Sequence, residues 1–471
     1  MLNGTQPDLN LNELRILLHK AVEDCLDYCV DSKDPQSKGF HRFTYAPSPL
    51  PLKPENLDLT YLLLRNSLLK NHQYLNQHPG FFGWSIGSGS PINLVSSLLT
   101  AAINAPVQSS SQLLGQIEIE VINWIKEIMG WPSGATGLFL SGSSVGNLMG
   151  LTLARHANNR LVRTKGNSVL NRRSVIGRSA THISVKRALN IMGIGEEFFI
   201  NIKSSAHDDF NYADLEEQLE QMNPTDLPFC LVASLGTTNR GAFDDLPKLR
   251  KICDRFDIWL HIDAAWGAWL SLDHKRKHLV KGLELGDSLT IDFHKWPGLP
   301  IGTGLLLVQN TQLLNECFSL QSDYLDSIAN SETIFSNQGL ELTRPSRALA
   351  VWLFFKFYGL NTIGQWVSSS CDLAGFFSEQ LKQNSEIFQP YSFITNTVVF
   401  RINRMADSDL LNDQSTQNLI QLLWNEGLFM PSILTIDGKK HLRLSFLNPH
   451  CNEDVIRRLL NRINLFIENN R

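Results

Sequence analysis

The sequence predicts an α/β fold built on a mostly parallel sheet, with a second, smaller α+β unit behind it, and three observations predict it. Short β-branched or apolar runs recur at 137–140, 174–176, 229–234, 258–262, 289–291 and 304–308. Helical patterns, among them 148–157 and 246–256, separate several of these runs, and strands alternating with helices imply crossover units on a parallel sheet. After about residue 360 the alternation lapses: helical character near 363–383, strands at 397–402 and 442–446 and one terminal helix describe a different unit. The division expected is an N-terminal helical and extended arm over 1–77, a large domain over 78–360 and a small C-terminal α+β domain over 361–471.

Taken in order, residues 11–30 repeat Leu14, Leu18, Val22, Cys25 and Cys29 at three- and four-residue steps, which predicts an amphipathic helix whose apolar face must bury against something. Pro47, Pro49, Pro51 and Pro54 then exclude a helix or a central strand, and suit an extended arm laid over another domain or subunit. This unit is too small to fold alone. A helix carrying Leu113, Ile117, Val121, Ile125 and Ile128 on one face ends at Gly130, and Pro132 forbids its continuation. The terminal helix opens at Asn452, a capping residue, and runs through Ile456, Leu459, Leu460 and Ile463. No internal repeat is present.

Composition excludes several function classes. The 471 residues are 43% hydrophobic and 19% charged, an ordinary globular balance, and a formal charge of -4 gives no electrostatic case for a nucleic acid or an acidic membrane. The basic run 160–178, centred on Arg172-Arg173, has no interleaved aromatic residue and reads as a solvated face. Seven scattered cysteines lack the paired Cys-x-x-Cys spacing of zinc or redox sites, so no metal and a reduced, cytoplasmic setting are expected. The N-terminus lacks a basic segment followed by an apolar one, and no long apolar run occurs, so a soluble protein without an export signal is expected.

Five points follow predicted strands, where ligands of parallel sheets sit. Ser141-Gly-Ser-Ser144 precedes a helix opened by Gly146-Asn147: either a plain turn or a cradle in which backbone N–H groups and the helix N-terminus hold a phosphate. Thr181-His182 carries either a structural histidine or a ring partner, and Leu235-Gly-Thr-Thr-Asn239 either a turn or ligand hydroxyls. Asp263-Ala-Ala-Trp266 ends a very apolar strand with a carboxylate beside space for a flat group, the alternative being a helix or turn cap. His294-Lys295 delivers an amine to a strand end, where partial desolvation favours the nucleophilic form; elsewhere such a lysine belongs to the surface. Phosphate cradle, flat space, carboxylate and amine at neighbouring strand ends are the parts that a pyridoxal 5'-phosphate site needs.

At these residues the sequence resembles the group II pyridoxal-phosphate-dependent decarboxylases, the family of aromatic-amino-acid, glutamate and cysteine-sulfinate decarboxylases. The likeness runs from His78-Pro-Gly-Phe-Phe-Gly-Trp84 to Leu442-Arg-Leu-Ser-Phe446, and its most specific pieces are Thr181-His-Ile-Ser-Val185, His261-Ile-Asp-Ala-Ala-Trp266, Asp292-Phe-His-Lys-Trp296 and Gly302-Thr-Gly304. The resemblance implies fold type I, the transferase-like fold of pyridoxal enzymes, and a homodimer with sites at its interface, to which the proline arm would cross. It implies that Lys295 is the Schiff-base lysine, Asp263 the partner of the pyridine nitrogen and His182 the histidine on the ring. Ser143, Ser144 and His294 match the phosphate cradle, Thr238 a cofactor-contacting threonine and Ala265 a residue packed on the ring. The His78–Trp84 stretch would line the substrate side.

Two departures stand out. Many relatives have an acidic residue and alanine before the asparagine of the glycine-rich turn, where this chain has Val145-Gly146 before Asn147. Relatives also carry a catalytic tyrosine on a mobile loop within 323–347, and ungapped counting back from Arg347 puts that position on Phe335. The activity implied is decarboxylation of an L-amino acid, an aromatic one preferred because Phe81, Phe82 and Trp84 cluster where the substrate side is expected, unless these rings are core. The alternatives are an acidic amino-acid substrate, an aldehyde-forming oxidative decarboxylation suggested by Phe335, and a non-catalytic cofactor-binding homologue.

Overall fold

A computed structural model describes residues 11–40, 50–53, 55–70, 74–204, 210–319, 333–393 and 395–470. Seven strands form the main sheet: β1 (Thr136–Leu140), β2 (Val175–Arg178), β3 (Phe199–Ile202), β4 (Cys230–Ser234), β5 (Trp259–Asp263), β6 (Ser288–Asp292) and β7 (Gly304–Val308). Their spatial order is β1-β7-β6-β5-β4-β2-β3. From β3 to β6 every neighbouring pair is parallel, and β7 alone runs against both β6 and β1. β4, β6 and β7 are buried at every position, as strands covered by helices on both faces must be. The sequence missed β3 because it is an edge strand, buried only at Ile202.

A second, antiparallel sheet of four strands, β8 (Phe388–Phe393), β9 (Thr397–Ile402), β10 (Ser432–Ile436) and β11 (Lys439–Ser445), has the order β10-β11-β9-β8. The two central strands match the apolar runs read from sequence; the two edges do not announce themselves. β10 alternates exposed and half-buried positions, and β8 contains Pro390, which an edge tolerates because it has no N–H to donate, with a register shift beside it. The helix Ala348–Lys382 joins the two units, burying Val351 and Phe354 with the large sheet and Ala374 and Phe377 with the small one. Its path breaks at Gly359, at φ 72°.

The N-terminal helices α1 (Leu11–Asp31) and α2 (Leu57–Arg65) contain no buried residue. Asp24 ties them, accepting from Tyr61 Oη and Arg65 Nε, each at 2.6 Å. Their apolar faces are poorly covered, with Ile16, Val30 and Leu59 largely exposed. Pro51 is exposed; Pro47, Pro49 and Pro54 lie outside the described residues. The helix α3 (Ile92–Ile103) also leaves Leu94, Leu98 and Leu99 in the open, whereas α4 (Leu113–Met129) buries Val121 and Ile125 and stops at Gly130 in the left-handed conformation, at φ 68°. Asn452 caps the terminal helix Glu453–Asn469, its side chain accepting from Val455 N at 3.1 Å.

Phe335 is a core residue. It opens a short 3-10 turn (Phe335–Asn337), is 1% exposed, and shares a buried cluster with Leu138, Leu140 and Leu306. The guanidinium of Arg344 lies 4.9 Å from its ring centroid, and Arg344 is in turn held by Glu118 Oε1 at 3.0 Å and Phe139 O at 3.2 Å. A ring packed beneath a buried ion pair cannot reach a reacting carbon, so ungapped counting through 323–347 lands on a packing residue. All seven cysteines are free thiols. Among the described residues no helix is long and apolar enough to cross a membrane, and no His, Cys, Asp and Glu cluster is placed to hold a metal ion.

Candidate active site

Parallel strands end together, and this brings the chemistry to one place. Ser234, at the end of β4, pairs in register with Asp263 at the end of β5, which pairs with Thr290 in β6. Facing them is the start of α5 (Ser143–Asn158), which follows β1 directly. Between lies a small cavity of about 40 Å³, lined from β4, β5, the end of β6 and the start of α5. Seven of the residues singled out from sequence line it: Ser143, Ser144, His182, Thr238, Asp263, Ala265 and Lys295. His294 does not; it is half-buried behind the cavity, with Nδ1 3.7 Å from Asp292 Oδ1.

Two glycines set how closely α5 lies on the sheet. A Cβ on Gly146 would sit 2.0 Å from Thr290 Oγ1, and one on Gly150 would sit 2.4 Å from the ring of His261. Positions four apart share a helix face, so this face rests on β5 and β6 with no room for a methyl group. Gly146 in place of the relatives' alanine therefore answers to Thr290. The close approach carries Asn147, to which the sequence reading gave no role, to Asp263: its Nδ2 donates to Asp263 Oδ2 at 2.9 Å and to Ser184 Oγ at 2.8 Å. Asp263 is only 8% exposed, and its other oxygen accepts from Ala265 N at 3.2 Å.

Lys295 Nζ lies 3.5 Å from Asp292 Oδ2. Asp292 was read within the motif Asp292-Phe-His-Lys-Trp296 without a role of its own, yet it lines the cavity, and its Oδ1 accepts from Ser143 N at 2.7 Å, at the electropositive start of α5. His182 caps the helix Ile183–Ile191, with Nδ1 accepting from Ser184 N at 3.3 Å and lying 2.7 Å from Ser184 Oγ. Burial pushes its pKa down against the opposing pull of Asp263, and burial likewise depresses His294. His261 is fully buried and pushed down to about 4 by that burial, with Asp263 opposing.

The donor set fits pyridoxal phosphate. Ser143 and Ser234 line the cavity, and their buried hydroxyls have no hydrogen-bond partner among the described residues, which suits them to a polar ligand group. Thr237 and Thr238 add hydroxyl-bearing side chains, Trp266 and Ala265 a flat apolar boundary, and Lys295 and Asp263 an amine and a carboxylate. The aromatic cluster read as substrate-facing is different: Phe81 and Phe82 are 2% and 1% exposed, Phe82 packs on Phe446 at 5.1 Å between centroids, and no residue of 78–84 lines the cavity. Apolar burial claimed those two rings for the core. Arg443, buried and with its pKa pushed down to about 10 by that burial, ties this stretch to β11 by donating to Trp84 O at 3.0 Å.

The histidines give a signed pH dependence. Unfolded imidazoles take up protons near pH 6.5, whereas folded His261 and His450 do so only near 4, and burial moves His182 and His294 in the same direction. Between these values the unfolded chain binds more protons, so stability is complete above about pH 6.5 and falls as pH drops toward 4. Urea midpoints of the cofactor-free protein are expected to decrease steadily from pH 7.5 to pH 5. A midpoint that is flat or rises over that range contradicts the assignment of neutral buried imidazoles.

Comparison with known proteins gives the family. The model of the pyridoxal-dependent decarboxylase conserved domain matches residues 49–403. The aromatic-L-amino-acid decarboxylase of Bacillus atrophaeus is 30% identical over 479 residues, covering 98% of this chain and 96% of that one. The L-2,4-diaminobutyrate decarboxylase of Acinetobacter baumannii is 26% identical over 397 residues, 79% of this chain and 77% of its own. In fold, the chain is similar to Oryza sativa TDC solved with PLP and tryptamine, with a TM-score of 0.90 at 22% identity, covering 98% of this chain and 99% of that one. The chain belongs to the pyridoxal-dependent decarboxylases of group II, and is a pyridoxal-phosphate-dependent amino-acid carboxy-lyase of fold type I.

Proposed function

We propose that this decarboxylase acts on an aromatic L-amino acid and releases the corresponding amine and carbon dioxide. The observation that carries the reading is the 30% identity to an aromatic-L-amino-acid decarboxylase along 98% of the chain. The cavity supports it against an acidic substrate: among the described residues no arginine lines it and Lys295 is the one lysine that does, so the lining offers an acidic side chain no further cation. The burial of Phe335 removes the feature that favoured an aldehyde-forming course. The segment 320–332, with Tyr324, lies outside the described residues.

In this reading Lys295, whose Nζ lies 3.5 Å from Asp292 Oδ2, would hold pyridoxal phosphate through its amine. Asp263 keeps a proton on the pyridine nitrogen, and Asn147 and Ala265 N hold that carboxylate in place. His182 would lie against the ring, Ala265 would bound the flat space, and Ser143, Ser144 and Thr238 would serve the phosphate end, whereas His294, outside the lining, is given no contact with it. Bound pyridoxal phosphate supplies the sink for the electron pair left when carbon dioxide departs. A second copy of the chain covers the leucine-rich faces of α1, α2 and α3, because exposed apolar faces of this extent mark association surfaces. A homodimer in the cytoplasm is the state we assign.

Purified protein with cofactor, given a panel of L-amino acids, is expected to release amine and carbon dioxide fastest from an aromatic member. Fastest turnover of glutamate, aspartate or cysteine sulfinate would replace the aromatic reading with the acidic one. In the same assay Asp263→Ala is expected to be slower by about 100-fold, the scale of losing a buried charge partner in the transition state. Sedimentation at micromolar concentration is expected to give twice the chain mass of 53.1 kDa; a monomer would leave the exposed faces unexplained.

A further inference from the structure

Behind Asp263 the hydrogen bonds form one connected set, and their donors and acceptors can be assigned without ambiguity. A carboxylate oxygen accepts, so the Asn147 atom 2.9 Å from Asp263 Oδ2 is Nδ2, and the atom 2.9 Å from His261 Nε2 is Oδ1. His261 must then donate through Nε2–H. Burial keeps this ring neutral, with a pKa of about 4, so its Nδ1 accepts, and Ser288 Oγ at 2.7 Å donates to it. Ser288 in turn accepts from Trp259 Nε1 at 2.9 Å, which leaves no choice of direction anywhere along the chain from Trp259 to Asp263.

The second hydrogen of Asn147 Nδ2 goes to Ser184 Oγ at 2.8 Å. His182 Nδ1 accepts from Ser184 N, so it carries no proton, and the Ser184 hydroxyl donates its own hydrogen to that nitrogen at 2.7 Å. The neutral ring of His182 therefore bears its proton on Nε2. One amide thus reaches Asp263 directly and His182 through Ser184. Asn147, Ser184 and His261 are all buried, and Gly146 and Gly150 exist to let α5 bring the amide there.

We propose that Asn147 is a positioning residue whose amide, oriented by His261, holds Asp263 directly and, by donating to Ser184 Oγ, directs the Ser184 hydroxyl to His182 Nδ1. The inference rests on the reading of Asp263 and His182 as cofactor-facing groups. It goes beyond that reading, since neither role by itself demands that the two be set by one side chain.

The test is nitrogen NMR of ¹⁵N-histidine-labelled protein, cofactor-free and cofactor-bound, with signals assigned through His182→Gln and His261→Gln. In the unsubstituted protein at pH 7.5 both rings are expected as the Nε2–H tautomer, and finding either as Nδ1–H overturns the proposal with no further variant needed. Asn147→Asp puts an acceptor where the amide donated, so the Ser184 hydroxyl turns to it and His182 switches to Nδ1–H. Asn147→Ala leaves Ser184 free to donate, so the tautomer stays while Asp263 still loses its donor. Both variants are expected to raise the cofactor dissociation constant about tenfold or more, the scale of a lost hydrogen bond to a charged group. No switch in the aspartate variant, or a switch in both, overturns the proposal. Absence of cofactor binding by the unsubstituted protein would instead defeat the proposed function, while the tautomers of the cofactor-free protein still decide this inference.

Discussion

The structure turns on a carboxylate that ends a buried strand. Asp263 closes β5, whose last four residues are all buried, and a polar group there is costly unless donors reach it. The donors come from Ala265 N, two residues on, and from Asn147 on a helix more than a hundred residues earlier in the chain. For Asn147 to reach, α5 must lie on the sheet without side chains in between. Gly146 over Thr290 and Gly150 over His261 meet that requirement. A local constraint on one acid thus dictates helix composition, sheet contact and the identity of the residues beneath.

The same geometry organises charge at the other end of the cavity. The start of α5 offers its N–H groups and partial positive charge to Asp292 through Ser143 N, and Lys295 stands on the far side of that carboxylate. Positive and negative groups therefore alternate across the cavity from helix terminus to amine. Among the described residues the buried hydroxyls of Ser143 and Ser234 have no partner, and in the proposed function a phosphate-bearing ligand would supply it.

Much of this was legible in the sequence, and the boundary of what was legible is physical. The run 289–291 and the motif Asp292-Phe-His-Lys295 announced β6 and its amine, because a strand buried on both faces must be apolar throughout and polar only where it ends. Asp263, His182 and the serine turn were visible for the same reason. Edge strands such as β3 and β8 were not, since half-exposed strands lack that contrast. Asn147 was in view, but its partners at Asp263 and His261 are 116 and 114 residues away, and no local pattern encodes a contact across that distance. Phe81, Phe82 and Phe335 show the converse: an aromatic ring reads alike whether it faces a ligand or a core, and here packing claimed all three.

The account stands most directly on Lys295 as the covalent anchor of the cofactor. Borohydride reduction of the cofactor-loaded enzyme, followed by proteolysis and mass spectrometry, reports which lysine carries the reduced pyridoxyl group. The geometry of β6 and its cavity leads us to expect the label on Lys295 alone. Label on any other lysine, or no label on an enzyme that is turning over, would contradict it.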